Sequence, residues 1–389
     1  MLRRVRDTLR GLQPTTDGPP AGPSPGAGPS TSTPQRREPV DRPPLYFHIG
    51  APKTGTTFLQ RLMYRQRDIL REAGVLFPGE QFSAHVQAAF DLRDTGFDGP
   101  DPHAAGRWAE FVEAARGWDG ATVFSQELFS PAEPKHIEVA MADLDFAEVH
   151  LIYTARELSR QIPAAWQEDV KNRFTLSFTD FVRQVREPNR LTHRQGRMFW
   201  DMQDAAEVLA RWSRSIPPSQ VHVVTVPPPG SPRDELWRRF AGVIGLDPDI
   251  VEPGQLFENT SLGAAETAVL RRVNRELAEE VGWPLYNELV KHHLAQRVLV
   301  GRPGARAIQL SAADHAWVAG RSREMTDALQ AAGYDVVGSL ADLHTPPGTG
   351  TEAPDVDEPP LEEQLDAAIE SITGLLLRIS RLRRGVAEP

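Results

Sequence analysis

The chain has 389 residues, 40% of them hydrophobic, and a formal net charge of −10 at pH 7. This length supports one large domain or two ordinary ones with a real core, and the acidic balance speaks against the broad basic face that nucleic acid requires. The absence of cysteine excludes disulfides, thiol nucleophiles and cysteine zinc sites.

No apolar run approaches the length of a membrane span, and the stretch Met1-Leu-Arg-Arg-Val-Arg-Asp7 lacks the apolar core of a signal peptide. The expectation is a soluble, cytoplasmic protein. Residues 1–43 are rich in Pro, Gly, Ser, Thr and Arg and read as a disordered tail, with too little apolar surface to offset its ordering entropy. Within it Leu2, Val5, Leu9 and Leu12 share one face of a short basic helical pattern. Residues 44–344 read as one α/β domain. Its first element is a buried strand over 45–49 that stops at Gly50. A short loop follows, then a helix over 56–71 carrying Phe58, Leu59, Leu62, Met63, Ile69 and Leu70.

The run 74–79 reads as a turn or short strand, and 80–103 as a long irregular loop over a site. A helix over 104–116 leads to a second core strand at 121–127. A third follows at 148–156 and a fourth at 220–226, separated by helical patterns at 158–171, 178–186 and 200–214. Pro163 is expected to break or kink the first of these helices. Short apolar strands alternating with helices predict a P-loop-like parallel sheet flanked by helices, a three-layer α/β/α architecture. Further helices are predicted at 232–244, 263–282, 284–297 and 311–332. Residues 345–360 read as a linker. A last amphipathic helix over 361–384 carries Leu361, Leu365, Ala368, Ile372, Leu375, Ile379 and Leu382 at heptad spacing. That seam fits either a homodimeric coiled coil or a helix packed on the domain.

The chemistry centres on the loop Gly50-Ala-Pro52-Lys53-Thr54-Gly55-Thr56-Thr57. Strand, glycine-containing loop and helix make a phosphate cradle, because helix-start N–H groups and the positive end of the dipole face the loop. Lys occurs only at 53, 135, 171 and 291, so a lysine spent here is a chemical choice. The order differs from a Walker A loop, whose lysine follows the second glycine. In parallel sheets, sites lie at the carboxyl ends of strands. Gly50–Thr57, Ser125–Glu127 and Thr154–Arg156 all sit at such ends.

The order P-K-T-G-T-T closely resembles the 5′-phosphosulfate loop of sulfotransferases that use 3′-phosphoadenosine 5′-phosphosulfate (PAPS), and the chain is most similar to bacterial members of that family. The resemblance implies that Pro52, Lys53, Thr54, Gly55, Thr56 and Thr57 bind the donor, with Lys53 stabilising the leaving 5′-phosphate. It implies a base, His or Glu, just past the second core strand, where Glu127 stands. His85 is the second candidate base or a substrate contact, and His48 reads as a hydrogen-bonded core histidine.

It also implies an arginine ending the third strand, here Arg156, for the donor's 3′-phosphate. The family's serine eight residues later is replaced by Ala164, leaving Ser159 or Arg160 to assist Arg156. A basic glycine-containing loop over the cofactor has one candidate, 300–306 with Arg302. Trp166 and Lys171 are candidate acceptor contacts, the acceptor being a carbohydrate, lipid or small metabolite. No metal is expected. Two other readings stay open: a P-loop-type kinase, disfavoured because the second and third strands end in Glu127 and Arg156 where a magnesium-binding Asp is needed, and a non-catalytic nucleotide-binding scaffold.

Overall fold

The computed structural model describes residues 42–96, 99–189, 192–251, 261–346 and 355–385. Most of the predicted tail at 1–43 and half of the linker lie outside these ranges. Six parallel strands form one sheet in the order β2-β3-β1-β4-β5-β6. They are β1 (Pro44–Gly50), β2 (Val75–Leu76), β3 (Ala121–Ser125), β4 (Glu148–Ala155), β5 (Val221–Thr225) and β6 (Asp335–Val337). β1 lies at the centre, with Phe47 opposite Phe124 of β3 and Leu151 of β4.

Period two sorts each strand's side chains between two cores. Leu45, Phe47 and Ile49 of β1, Leu151 and Tyr153 of β4, and Val221 and Val223 of β5 enter the larger cluster. Ile152 and Val224 face the smaller one, with Leu59, Met63 and Phe240. Helices cover both faces, so the architecture is the three-layer α/β/α expected. Phe47 packs edge-on against Phe129 at 4.7 Å and Trp212 at 5.1 Å. Truncating such a ring costs about 3–5 kcal/mol.

Several elements differ from the expectation. The first helix divides into α1 (Thr56–Arg65) and a short continuation, Arg67–Glu72, at Gln66, whose φ of −112° and ψ of 23° leave the helical region. The segment 80–103 is not irregular throughout: Ala84–Arg93 is a helix, α2. Its alanines provide a small buried face rather than a strong apolar stripe, which hides it from a periodicity reading. The helix after β4, α3 (Leu158–Lys171), is not broken at Pro163. Pro163 lies in its second turn, so the lost bond is confined near the helix start. The predicted helix 284–297 is one α-turn, Trp283–Tyr286, followed by a π-helix, Asn287–Leu299. Extended π-helix is rare and tends to occur at functional sites. β6, three residues on the sheet edge, is too short for periodicity to reveal.

The helices Ala264–Leu277 (α4) and Leu361–Arg383 (α5) close the far side. α5 rests on α4 and the π-helix through a face of small and polar residues. Ala367, Ser371 and Arg378 are buried, and a Cβ on Gly374 would meet Val298 at 2.6 Å. Five of the seven predicted heptad positions, Leu361, Leu365, Ile372, Ile379 and Leu382, face outward instead. Among the described residues no helix is long and apolar enough to cross a membrane.

Candidate active site

The loop between β1 and α1 is shaped by two glycines. Gly50 has φ 150° and Gly55 has φ 90°, and a Cβ on Gly55 would collide with the Leu236 side chain. Gly55 is the N-cap of α1, and no side chain caps the helix. The first N–H groups of α1 are therefore left for a ligand. Lys53 itself has φ 66°, a strained value for a residue with a side chain.

That strain is held by bonds to the loop's carbonyls from behind. Gln161 and Gln203 both donate to Pro52 O, and Arg156 Nη1 donates to Lys53 O at 3.1 Å. Thr54 faces inward: its hydroxyl donates to Ala51 O at 2.5 Å and meets Thr154 Oγ1 at 2.5 Å. The Thr54 hydroxyl is thus an internal fastener of the loop, not one of the ligand-facing donors expected. Thr57 is exposed on the open side.

The loop lines an open cleft of about 1930 Å³. Among the described residues eleven Lys and Arg side chains line it against four carboxylates. In a chain of net charge −10 this is a local reversal of sign. Pro52 to Thr57, Glu127, Arg156 and Lys171 are all in this lining, as are Arg160 and Ala164. Glu127 opens a single helical turn just after β3, and its Oε2 accepts from Gln60 Nε2 of α1 at 3.0 Å. Burial first, and then neighbouring Arg160, lower Arg156 to about 10. Its Nε is buried without a partner. Two adjoining guanidiniums, one with an unpaired buried N–H, form a place for an anion.

The residue that the sequence did not single out is Glu168, on α3. Three of the chain's four lysines converge on it: Lys171 Nζ at 2.5 Å, Lys53 Nζ at 3.1 Å and Lys291 Nζ at 3.1 Å. Burial alone would push the Glu168 carboxyl up, but the three ammonium groups hold it well below the usual carboxylate range. It is a counter-charge, too acidic to serve as a base near neutral pH. Burial lowers Lys171 to about 8 despite Glu168, with Lys53 and Lys291 adding to the depression. The next residue, Asp169, has no lysine partner; burial and the Glu168 charge push it up to about 7. The signal available in the sequence was the scarcity of lysine and the Glu168–Lys171 spacing of one helical turn. Lys291 arrives from the π-helix, which no local pattern ties to α3.

Five residues weighed from the sequence lie outside the cleft lining. His85 is stacked on Phe77 at 4.2 Å and accepts the Ser125 N–H through Nδ1 at 3.2 Å. Burial lowers it to about 3, so it is a neutral core histidine. His48 likewise is lowered to about 3 by burial, and bonds Ser125 Oγ at 2.8 Å. Trp166 is a core ring whose Nε1 donates to Leu176 O at 3.0 Å. Arg302 pairs with Glu266 and, at 2.8 Å, with Glu370, fastening α5 to α4. Its guanidinium is consumed by structure. Ser159 sits in the first turn of α3, its N–H donating to Glu157 Oε1 at 2.6 Å, and is not part of the cleft lining. Of the two residues expected to assist Arg156, Arg160 lines the cleft and Ser159 does not.

No family model matches the chain, and no curated protein matches it in sequence. Among solved structures, the crystal structure of a sulfotransferase from Alicyclobacillus acidocaldarius aligns at 18% identity. The alignment covers 62% of this chain and 96% of that one, with a TM-score of 0.37. At this level the likeness says nothing about what the chain does.

Proposed function

We propose that the chain is a sulfotransferase that moves a sulfuryl group from PAPS to a hydroxyl or amine of a carbohydrate, lipid or small metabolite. The observation that carries this reading is that the P-K-T-G-T-T loop, Glu127 and Arg156 share one cation-lined cleft at the carboxyl ends of β1, β3 and β4. Such a cleft suits a donor with phosphates at two separate points. The uncapped start of α1, with Lys53, Thr56 and Thr57, suits the 5′ end. Arg156 and Arg160 suit the 3′-phosphate, and the unpartnered Arg156 Nε supports that fit without the missing serine.

In the reaction the acceptor oxygen or nitrogen forms a bond to sulfur as the sulfur–oxygen bond to the 5′-phosphate breaks. The acceptor proton goes to Glu127, and the electron pair stays on the leaving phosphate. Transfer of this kind is governed by positioning and charge stabilisation. Lys53 serves the developing charge by leaving Glu168, which keeps Lys171 and Lys291 as partners. Of the four cleft carboxylates, Glu127 is the one that stands just past a core strand and beside the loop helix, its side chain accepting from the neutral Gln60.

The test is thermal shift of the whole chain with 3′-phosphoadenosine 5′-phosphate against ATP with Mg²⁺. Stabilisation by the bisphosphate supports the reading; stabilisation by ATP alone sinks it in favour of a kinase. A radiolabelled-sulfate assay on extracts then identifies the acceptor.

A further inference from the structure

The C-terminal helix α5 is fixed by one face and bare on another. Arg378 bonds Glu288, Glu370 pairs with Arg302 at 2.8 Å, and Glu363 pairs with Arg306 at 3.0 Å. Just before the helix, Asp357 accepts the backbone N–H groups of Phe178 and Thr179 and an ion pair from Arg271. These contacts set the rotation of α5 about its own axis. They turn outward Leu365, Ile369, Ile372, Leu376 and Ile379, each between 48% and 61% exposed. Leu361 and Leu382 extend this row at its ends. The spacings alternate four, three, four, three, the repeat of a coiled-coil seam. The row differs from the one the sequence suggested, with Ile369 and Leu376 in place of Ala368 and Leu375. The fixed contacts turn those two toward the domain.

An apolar stripe of this extent on a rigid helix is a docking surface. We infer that its occupant is the same helix of a second copy of the chain, running antiparallel. The charges on α5 argue for this partner and this direction. Glu362 and Asp366, both exposed, lie in its first two turns, and Arg381, Arg383 and Arg384 close it. A two-fold axis across the middle of the seam brings the acidic end of each helix to the basic end of the other, twice over. Closed two-fold pairing demands such self-complementarity. A parallel pair would set like charges together, and the acidic half would be repelled by an anionic lipid surface. The seam itself holds no polar residue from Leu365 to Ile379 that contributes to it, so the end charges are what fix direction.

The test is the mass of the full chain in solution by light scattering and sedimentation. The expected result is twice 43.1 kDa. Ile372→Glu, at a position 59% exposed and so tolerant of charge in the single chain, weakens association by about 30-fold or more. Reversing only the acidic end (Glu362→Arg with Asp366→Arg) dissociates the pair, and adding Arg381→Glu with Arg383→Glu restores it. Far-ultraviolet circular dichroism confirms that each variant stays folded. A single-chain mass for the native protein overturns the inference, as does a dimer that survives Ile372→Glu. An acidic-end reversal without effect overturns the antiparallel direction. If removing residues 1–41 converts a monomer into a dimer, the chain's own N-terminus is the occupant and the inference fails. Monomers that bind vesicles of anionic phospholipid also overturn it.

Discussion

On the loop side of the cleft, Pro52 and Lys53 are held by two glutamine amides and one guanidinium, all donating to backbone carbonyls. On the opposite side, Lys171 and Lys291 share one carboxylate, Glu168, and Lys291 adds a bond to Asn172 Oδ1 at 2.7 Å. Bonds from neutral amides to carbonyls do not change with pH and little with salt. Ion pairs do both. The loop is therefore a permanent mould, while the lysine side is a conditional one that an arriving anion can rearrange. Lys53 belongs to both: its backbone is locked in the mould and its ammonium sits on the shared carboxylate.

Removing the residue that joins the two sides has the largest expected effect. Lys53→Ala lowers kcat by about 10²–10³-fold, the usual effect of losing one charge-stabilising donor. The melting temperature changes little, since Glu168 retains two lysines; a rate within a few-fold of the native protein breaks the proposed mechanism. Glu168→Gln separates the sides in the opposite sense. It leaves three ammonium groups without a counter-charge and lowers stability by about 3 kcal/mol. It also makes the cleft more positive, so 3′-phosphoadenosine 5′-phosphate binds more tightly. Melting curves with and without the nucleotide read both effects, and equal losses in the two conditions contradict the counter-charge role. Glu127→Gln lowers kcat by about 100-fold while nucleotide affinity holds.

The smallest effect is a pH slope. The folded carboxyl of Asp169 is raised to about 7, above its unfolded value. Folded Asp169 thus keeps its proton where the unfolded chain has lost it, and its contribution to stability falls as pH rises from about 4 to 7. Glu168, held below its usual range, contributes stability that is lost only as pH falls below about 4.5. Asp169→Asn should therefore gain on the native protein steadily from about pH 4.5 to 7. A constant difference across that window contradicts the burial of Asp169.

The same contrast explains what could be read from the residues alone. The loop, Glu127 and Arg156 were legible because each closes an apolar strand, and strand ends in a parallel sheet converge. The sheet's four long strands were legible for the same reason. Glu168 and Lys291 were not, because they come together only when α3 and the π-helix pack. His85 and Trp166 looked functional by residue type, yet their burial is a property of the core that sequence position does not reveal. The C-terminal seam shows the subtler failure. The heptad was visible, but which of two overlapping rows faces outward was decided by Ala367, Ser371 and Gly374 against the domain.

The gathering of lysines has a practical consequence for chemical labelling. Of the chain's four side-chain amines, Lys135 is 72% exposed on the surface and the other three meet in the cleft. An amine-acylating reagent followed by peptide mass spectrometry therefore reports on this one site with almost no background. Lys171, lowered to about 8, is partly uncharged in mildly alkaline buffer and so nucleophilic, and Lys135 provides an internal reference. Protection of three peptides at once maps occupancy of the cleft without any engineered probe.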